Sequence, residues 1–259
     1  MKLENVRVYN IATSLFGMRN PKNSWDRCDT RSGIARYEDI VAMAQQSEYD
    51  LKDILLYQDK NGMCEYCLIG PNDMKLAKVL KEAGTEHRKY LRQIFVTMDI
   101  TAPLYWWKEF DTYKIGTTSN SQSTMHKMAA KPITLDCFEI GDYDPDLCFF
   151  ERVEDEDTTW SVTMRDAVEG EENCDCWESP AIIKWLEELR LRYLETKDMK
   201  YWKELIRWLP EAWLQTRTIT LDYEVLSRMY HQRKDHKLTE WHWFCDRIAD
   251  MPYAKDLIL

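Results

Sequence analysis

The pattern of apolar and polar positions along the chain predicts a fold that mixes helices with strands. Near-alternating or β-branched runs predict strands over residues 6–12, 90–101 and 213–221. Apolar residues at helical spacing predict helices over residues 36–46, 51–57, 71–83, 180–194, 199–209, 222–231 and 240–248. The segment between residues 17 and 33 is rich in Gly, Asn, Pro, Arg and Asp and is expected to form a long loop.

Polar residues and glycines mark the ends of several of these elements. Asn72 or Asp73 can cap the start of the helix over residues 71–83, and Gly84 suits its end. Asp222 is expected to cap the helix that begins there. The Asn61-Gly62 pair is a turn signal.

Residues 94–126 are the stretch around which we expect the fold to be organised. An apolar, strand-like run is broken at Ala102-Pro103, and an aromatic segment follows over residues 105–110. The stretch ends in a polar cluster of hydroxyl and amide side chains over residues 117–124. A hydrophobic support that carries hydroxyls and amides into one place is what a binding site for a polar small molecule needs.

The length and composition fit one domain with an insertion. The chain has 259 residues, of which 44% are hydrophobic, so one sizeable core over residues 1–259 is expected. Residues 141–179 are acidic and predict a surface insertion. Eleven Trp and fourteen Tyr supply large buried areas and polar tips for pocket rims.

The charge and the cysteine content limit which kinds of binding partner and which cellular compartment we expect. The formal net charge of −10 disfavours general binding to a nucleic-acid backbone, although a nucleotide needs only a local basic pocket. The sequence has no apolar run of membrane-spanning length and no signal-peptide core at its start. The eight cysteines are expected to be reduced thiols, and we expect a cytoplasmic protein without membrane contact.

Two sets of residues offer chemistry, each with a simpler structural alternative. Cys64 and Cys67 have zinc-knuckle spacing, but a structural zinc site needs a second pair, so we expect no metal. The basic residues near the C-terminus could grip phosphate or a pyrimidine carbonyl, or form surface salt bridges. They are Arg217, Arg228, Arg233, Lys234 and Lys237. Glycine-rich phosphate-binding motifs are absent from the sequence.

The order of these motifs resembles the flavin-dependent thymidylate synthase family. In that family a strand ends near an Ala-Pro pair, and an aromatic segment leads into the pattern RHRxxSxNExSxRY. Here Ala102-Pro103 is followed by LYWWKEFD, by Thr112-Tyr113-Lys114 and, after Ile115 to Gln122, by Ser123, a spacing one residue longer than the family's. The resemblance covers roughly residues 84–126 and 205–250, where a strand, a helix and Arg233-Lys234-Asp235-His236 follow in the family's order.

The resemblance implies an α/β fold of the α+β type, with helices packed on a mostly antiparallel sheet. It implies a homotetramer with active sites shared between subunits. It also implies that the chain binds FAD and dUMP and uses methylenetetrahydrofolate and NADPH as co-substrates in a reductive methylation. No protein nucleophile attacks the uracil in this family, because an arginine polarises the pyrimidine instead.

Carried over residue by residue, the resemblance predicts separate sets of catalytic, substrate-binding and cofactor-binding residues. Arg233 and Ser123 would be the catalytic pair, with Arg233 polarising the pyrimidine. The substrate-binding residues would be Asn120, Ser121, Gln122, Ser123 and Arg233, and the cofactor-binding residues would be His87, Lys89, Arg92, Lys114 and Arg228. Trp106 or Trp107 would form apolar walls. These groups would meet in one cavity, within one subunit or across two.

The departures from the family pattern remove several charges from that site. Thr112 and Tyr113 stand where the family has Arg and His, and Glu224 stands where a family arginine meets the cofactor. Ser121 replaces the motif glutamate and Met125 the second motif arginine, while Arg228 replaces an asparagine. Three hypotheses therefore stay open: a flavin-dependent methylating enzyme, a non-catalytic nucleotide binder on the same fold, and a structural or interaction protein.

Overall fold

Helices and antiparallel strands share the chain in this computed structural model, which describes residues 1–46, 49–140, 150–153, 161–164 and 181–259. The strands are β1 (Lys2–Tyr9), β2 (Arg31–Arg36), β3 (Leu55–Gln58), β4 (Met63–Leu68), β5 (Phe95–Pro103), β6 (Thr117–Ser121), β7 (Phe150–Val153), β8 (Ser161–Met164) and β9 (Leu214–Asp222). The helices are α1 (Ile11–Gly17), α2 (Tyr37–Gln46), α3 (Pro71–Glu82), α4 (Leu104–Phe110), α5 (Thr124–Lys127), α6 (Ala181–Thr196), α7 (Met199–Arg207), α8 (Tyr223–Arg233), α9 (Thr239–Ala249) and α10 (Ala254–Leu257). The expected fold class, mixed helices with antiparallel sheet, is confirmed.

The strands form sheets of four, three and two members within the described residues. The four-stranded sheet has the order β1-β5-β9-β6, and the three-stranded sheet has the order β2-β4-β3. Strands β7 and β8 pair antiparallel, with Phe150 opposite Met164. They are the described part of the predicted acidic insertion, whose other residues lie outside the described ranges.

The chain divides into two compact units. The first consists of Met1–Lys2, Thr101–Asp111 and Ser121–Arg217, and the second of Leu3–Ile100, Thr112–Asn120 and Thr218–Leu259. In the first unit, α6 and α7 cover a buried apolar cluster. Its buried members are Met128, Ile133, Phe138, Ile183, Leu186, Leu189 and Leu205. In the second unit, Ile40 and Ala44 of α2 pack against buried Cys64 and Leu68 of β4. The expectation that residues 1–259 act as one domain stays a prediction.

Most long elements lie where the sequence predicts them, but the helix predicted over residues 51–57 was wrong. Residues 51–57 form a 3₁₀ turn at Leu51–Asp53 and then strand β3, because pairing with β4 overrides the local helical pattern. The aromatic segment forms helix α4 directly after Pro103, which the sequence analysis did not predict. The turn at Asn61-Gly62 is confirmed between β3 and β4, where Gly62 has a φ of +81°.

The start of α3 shows a second difference, because its cap comes from a distant residue. Asp29, 43 residues upstream, accepts hydrogen bonds from the backbone N–H groups of Asn72 (2.8 Å) and Asp73 (3.0 Å). The N-cap position itself is Gly70, where a Cβ atom would collide with Asp29. Neither Asn72 nor Asp73 therefore has the capping role that the sequence predicts.

Asp73 instead anchors the preceding loop from inside the second unit. Its carboxylate accepts from Arg19 Nε (2.6 Å), from the Thr30 backbone N–H (2.9 Å) and hydroxyl (2.6 Å), and from the Cys28 thiol. Arg19 and Asp73 expose 4% and 0% of their side chains. A buried ion pair with this many hydrogen bonds leaves a costly unpaired charge when either partner is removed.

None of the helices in the described ranges combines the length and the apolar composition that crossing a bilayer requires.

Replacing Asp73 by asparagine is expected to lower the free energy of unfolding by about 3–5 kcal/mol at pH 7, because Arg19 stays buried without its counter-ion. Chemical denaturation measures this change. Asp250→Asn is the matched control: Asp250 faces Arg247 at 3.6 Å on the surface. That substitution is expected to change the free energy by less than about 0.5 kcal/mol.

The cost of Asp73→Asn is also expected to depend on pH. Burial alone would raise the pKa of Asp73, but hydrogen bonds from Thr30, Cys28 and Arg19 outweigh it and hold the pKa below the ordinary 3.8. The stabilisation is therefore present above that ordinary value and is lost as the pH falls through the lowered value. A difference between wild type and variant that stays constant down to acid unfolding would contradict this assignment.

Candidate functional site

The geometry of the candidate site begins at the first turn of α8. The Asp222 carboxylate accepts a hydrogen bond from the Val225 backbone N–H at 2.9 Å, so the predicted cap is confirmed. Burial raises the pKa of Asp222. Gly116 passes over this turn with a φ of +80°, and a Cβ there would lie 2.9 Å from both Asp222 Oδ2 and Val225 Cγ2. Only glycine fits this conformation and this space, so the loop before β6 packs directly on α8.

Tyr113, in the loop before Gly116, contacts the far end of the same helix. It is buried, with 6% of its surface exposed. Its hydroxyl accepts from Arg233 Nε at 2.9 Å and donates to Gln232 Oε1 at 2.9 Å. The Arg233 guanidinium carbon lies 4.7 Å from the Trp241 ring centroid and 5.6 Å from that of Tyr113. These contacts with Tyr113 and Trp241 help to hold the Arg233 side chain in place.

Arg228 approaches the same tyrosine from the middle of α8. Its guanidinium carbon lies 5.8 Å from the Tyr113 ring centroid, and Nη2 donates to the Ile115 carbonyl at 3.5 Å. The Arg228 and Lys114 side chains are exposed. Within the described ranges, neither cation lies at salt-bridge distance from a carboxylate. The structure thus brings three of the predicted site residues, Arg228, Arg233 and Lys114, around or next to Tyr113.

The predicted cofactor residues His87, Lys89 and Arg92 lie on a segment that is tied to α8 by an ion pair. Arg88 Nε contacts the two carboxylate oxygens of Glu224 at 3.1 and 2.8 Å. His87, Lys89 and Arg92 have exposed side chains, and all three lie close to Arg88 in the sequence. Lys89 faces Glu86 at 3.7 Å, and Arg92 donates to the Thr85 carbonyl at 3.5 Å. The sequence analysis missed Arg88, which neutralises the carboxylate at position 224.

The hydroxyl and amide cluster is divided between the two units. Asn120 belongs to the second unit, whereas Ser121, Gln122 and Ser123 belong to the first. The Gln122 backbone N–H donates to the Thr216 carbonyl at 2.9 Å, and its carbonyl accepts from Gln215 Nε2 at 2.9 Å. The side chains of Asn120 to Ser123 are exposed. That Ser123 and Arg233 share one cavity stays a prediction.

Trp106 and Trp107 do not form the walls that the sequence analysis expected. They are 0% and 1% exposed in the first unit, with ring centroids 4.9 Å apart. Trp107 Nε1 donates to the Gln215 carbonyl at 2.9 Å, and the Arg217 guanidinium carbon lies 4.2 Å from the Trp107 ring. Arg217 also pairs with Asp111 at 2.6 Å. Trp106 and Trp107 are therefore interior residues that stabilise the unit and offer almost no surface to a ligand.

The cysteines on β4 are buried free thiols. Cys64 and Cys67 are three positions apart on a strand, so their side chains point to opposite faces. Burial raises the pKa of the Cys67 thiol to about 12. The described residues contain no group of three side chains that could hold a metal ion.

One cavity in the second unit is separate from the predicted site. It has a volume of about 280 Å³ and lies between the end of β1 and the three-stranded sheet. Its lining includes Ser32, Tyr57, Glu65 and Tyr66, and none of the predicted site residues. The surface around Tyr113, which carries Arg228, Arg233 and Lys114, therefore differs from this cavity in position and in charge.

Comparison with known proteins supports the fold. No family model and no curated protein sequence matches the chain. A flavin-dependent thymidylate synthase from Helicobacter pylori, complexed with FAD and dUMP, matches with a TM-score of 0.57 and 12% identity over 100% of this chain and 98% of that chain. A second structure of that synthase with FAD and dUMP gives 0.56 and 11% over 100% and 97%. These likenesses show that the chain has this fold.

A third solved structure is similar at a lower level. It is a UMP/dUMP methylase from Streptomyces cacaoi bound with 5-Br UMP, with a TM-score of 0.46 and 14% identity over 89% of this chain and 91% of that chain. At this TM-score the likeness supports no inference about the site.

Tyr113→Phe removes the hydroxyl that accepts from Arg233 and keeps the ring. We expect the free energy of unfolding to fall by about 1–3 kcal/mol, because the hydrogen bonds of the hydroxyl with Arg233 and with Gln232 are both lost. We also expect faster hydrogen exchange at the Arg233 Nε–H, measured by ¹⁵N NMR of the arginine side chains. Unchanged exchange at Arg233 in the variant would contradict the contact.

Proposed function

We propose that the chain binds a pyrimidine nucleotide at Arg233 and methylates dUMP or a related nucleotide, with FAD as cofactor and NADPH and methylenetetrahydrofolate as co-substrates. The observation that carries this proposal is the oriented guanidinium of Arg233, in a chain whose whole length has the thymidylate synthase-like fold. The H. pylori structures with that fold contain FAD and dUMP. A homotetramer with shared sites is part of the proposal, by resemblance.

Arg233 would act on the pyrimidine through its charge and its fixed direction. A guanidinium presents two parallel N–H donors to a carbonyl oxygen and stabilises negative charge that develops there. Because Tyr113 and Trp241 already hold the side chain, little reorganisation is needed when the ligand arrives. Asn120, Gln122 and Ser123 would hold the sugar or the phosphate.

Several solvent-facing residues of the second unit carry positive charge, which suits the negative charge of FAD. Lys89, Arg92, Lys114 and Arg228 are exposed cations, and His87 adds a ring donor. They would offset the diphosphate, while His87 and Lys114 would face the flavin. Bound FAD, once reduced by NADPH, would supply the hydride for the reductive step.

Arg233→Gln is expected to weaken dUMP binding by about 10-fold to 100-fold, because a charged hydrogen bond contributes roughly 1.5–3 kcal/mol. Calorimetry measures the affinity, and absorbance of the purified protein together with a dUMP methylation assay tests for flavin and turnover. Arg247→Gln is the matched control, since Arg247 is an exposed residue of α9 outside the site. A colourless wild-type protein that gains no flavin on titration would reject the enzyme.

A second candidate, a nucleotide binder without catalysis, is favoured by the Arg88–Glu224 ion pair. The resemblance places a cofactor-contacting arginine at position 224, and this chain has a carboxylate there that is neutralised by Arg88. Each cation lost from a diphosphate site weakens binding. The binder would keep the Arg233 contact and lack flavin turnover.

Glu224→Gln tests whether the Arg88–Glu224 ion pair limits flavin binding, which is the premise of the second candidate. The change releases Arg88 from its counter-ion and removes one negative charge beside the predicted cofactor residues. We expect FAD affinity, followed by the quenching of flavin fluorescence, to rise by about 10-fold. Glu188→Gln, which breaks an exposed ion pair on α6, is expected to leave FAD affinity unchanged. Equal FAD affinity in wild type and Glu224→Gln would show that the ion pair does not limit flavin binding.

A further inference from the structure

Arg228 and Arg233 share one aromatic neighbour, although the sequence analysis assigned them to different ligands. Both guanidinium carbons lie within 6 Å of the Tyr113 ring centroid, at 5.8 and 5.6 Å. Both residues belong to α8, and Tyr113 is fixed against that helix by its hydrogen bonds to Arg233 and Gln232. The two cations therefore belong to a single surface of the second unit.

Neither carboxylate at the start of α8 forms a salt bridge with Arg228, although Asp222 interacts with its positive charge. Asp222 is 7% exposed, and its Oδ1 accepts from the backbone N–H of Val225 beneath the Gly116 loop. Glu224 is paired with Arg88. In the described ranges, Arg228 has the Ile115 carbonyl and the Tyr113 ring as neighbours and has no carboxylate at salt-bridge distance. In a chain of net charge −10, Arg228 therefore offers an exposed positive charge to an anion.

We propose that Arg228 binds the phosphate of the same nucleotide whose pyrimidine contacts Arg233, so that the site selects a nucleoside monophosphate over the free nucleoside. The inference rests on the proposed function and reassigns Arg228 from the cofactor to the substrate. A guanidinium suits this role because its forked donors match two phosphate oxygens. The Arg228 side chain is exposed, and its guanidinium carbon lies near the same ring as that of Arg233, so one nucleotide could contact both arginines.

The test compares two ligands that differ only in the phosphate. Affinities for dUMP and for deoxyuridine are measured by calorimetry on the full chain in wild type, Arg228→Gln, Arg228→Lys and Arg233→Gln. In Arg228→Gln we expect dUMP affinity to fall by about 10-fold to 100-fold and deoxyuridine affinity to stay within about twofold of wild type. In Arg233→Gln both affinities fall. Arg228→Lys keeps the charge without the fork and is expected to give intermediate discrimination.

Salt dependence and folding controls separate phosphate binding from a structural role. The dUMP affinity of wild type should fall more steeply with ionic strength than that of Arg228→Gln, because the variant has one ion pair fewer with the ligand. The unfolding midpoints of the two proteins should agree, and inorganic phosphate should compete with dUMP in wild type only. Arg247→Gln should match wild type throughout.

The outcomes distinguish the inference from the function on which it rests. Wild type that prefers dUMP while Arg228→Gln keeps that preference overturns the inference alone. Equal losses of dUMP and deoxyuridine binding in Arg228→Gln show a structural role and also overturn it. Wild type that binds neither ligand overturns the proposed function, and the inference with it.

Discussion

The candidate site depends on the close passage of Gly116 over the first turn of α8. The positive φ at Gly116 and the absence of a Cβ atom allow the loop to lie against Asp222 and Val225. Asp222 in turn fixes where α8 begins, and so fixes the direction of each side chain along the helix. Because the loop is held there, Tyr113 lies beside α8 and meets Arg233 near its last turn.

Electrostatics in the second unit follow from which carboxylates already have partners. The chain carries an excess of ten negative charges, yet the acids around α8 have defined roles. Asp222 accepts from a helix N–H and Glu224 pairs with Arg88. Arg228 and Lys114 are exposed and, within the described ranges, lie at salt-bridge distance from no carboxylate, so they can act on a ligand. A local positive surface can form in an acidic protein in this way, and it can attract a nucleotide without attracting nucleic acid in general.

Local sequence signals predicted the elements that carry the site, while the contacts between distant segments could not be predicted. The Asp222 cap and the helices over 222–231 and 240–248 follow from capping chemistry and apolar spacing, which act within a few residues. The hydrogen bond between Tyr113 and Arg233 joins residues 120 positions apart, and no spacing rule covers that distance. The family resemblance helped to assign site residues only at positions where this chain matches the family's motif. It identified position 113 as a departure and gave no partner for the tyrosine.

The same limit explains the errors in the rest of the fold. Asp73 has the composition of a helix cap, but Asp29 takes that role from an earlier loop, so Asp73 is free to pair with Arg19. The segment over residues 51–57 has a helical pattern that strand pairing overrides. The residue type of Trp106 and Trp107 suggests pocket walls, and only their packing in the structure shows that they are interior. In each case a tertiary partner outweighs a local preference.

The buried thiols have a chemical consequence for handling the protein. Burial raises the pKa of Cys67 to about 12 and that of Cys245 to about 11, so almost none of either thiol is ionised at neutral pH. Since the thiolate is the form that reacts with alkylating agents and disulfides, these two positions resist modification while the fold is intact. The rate at which these thiols are labelled therefore reports how often the second unit opens, and the measurement requires no ligand.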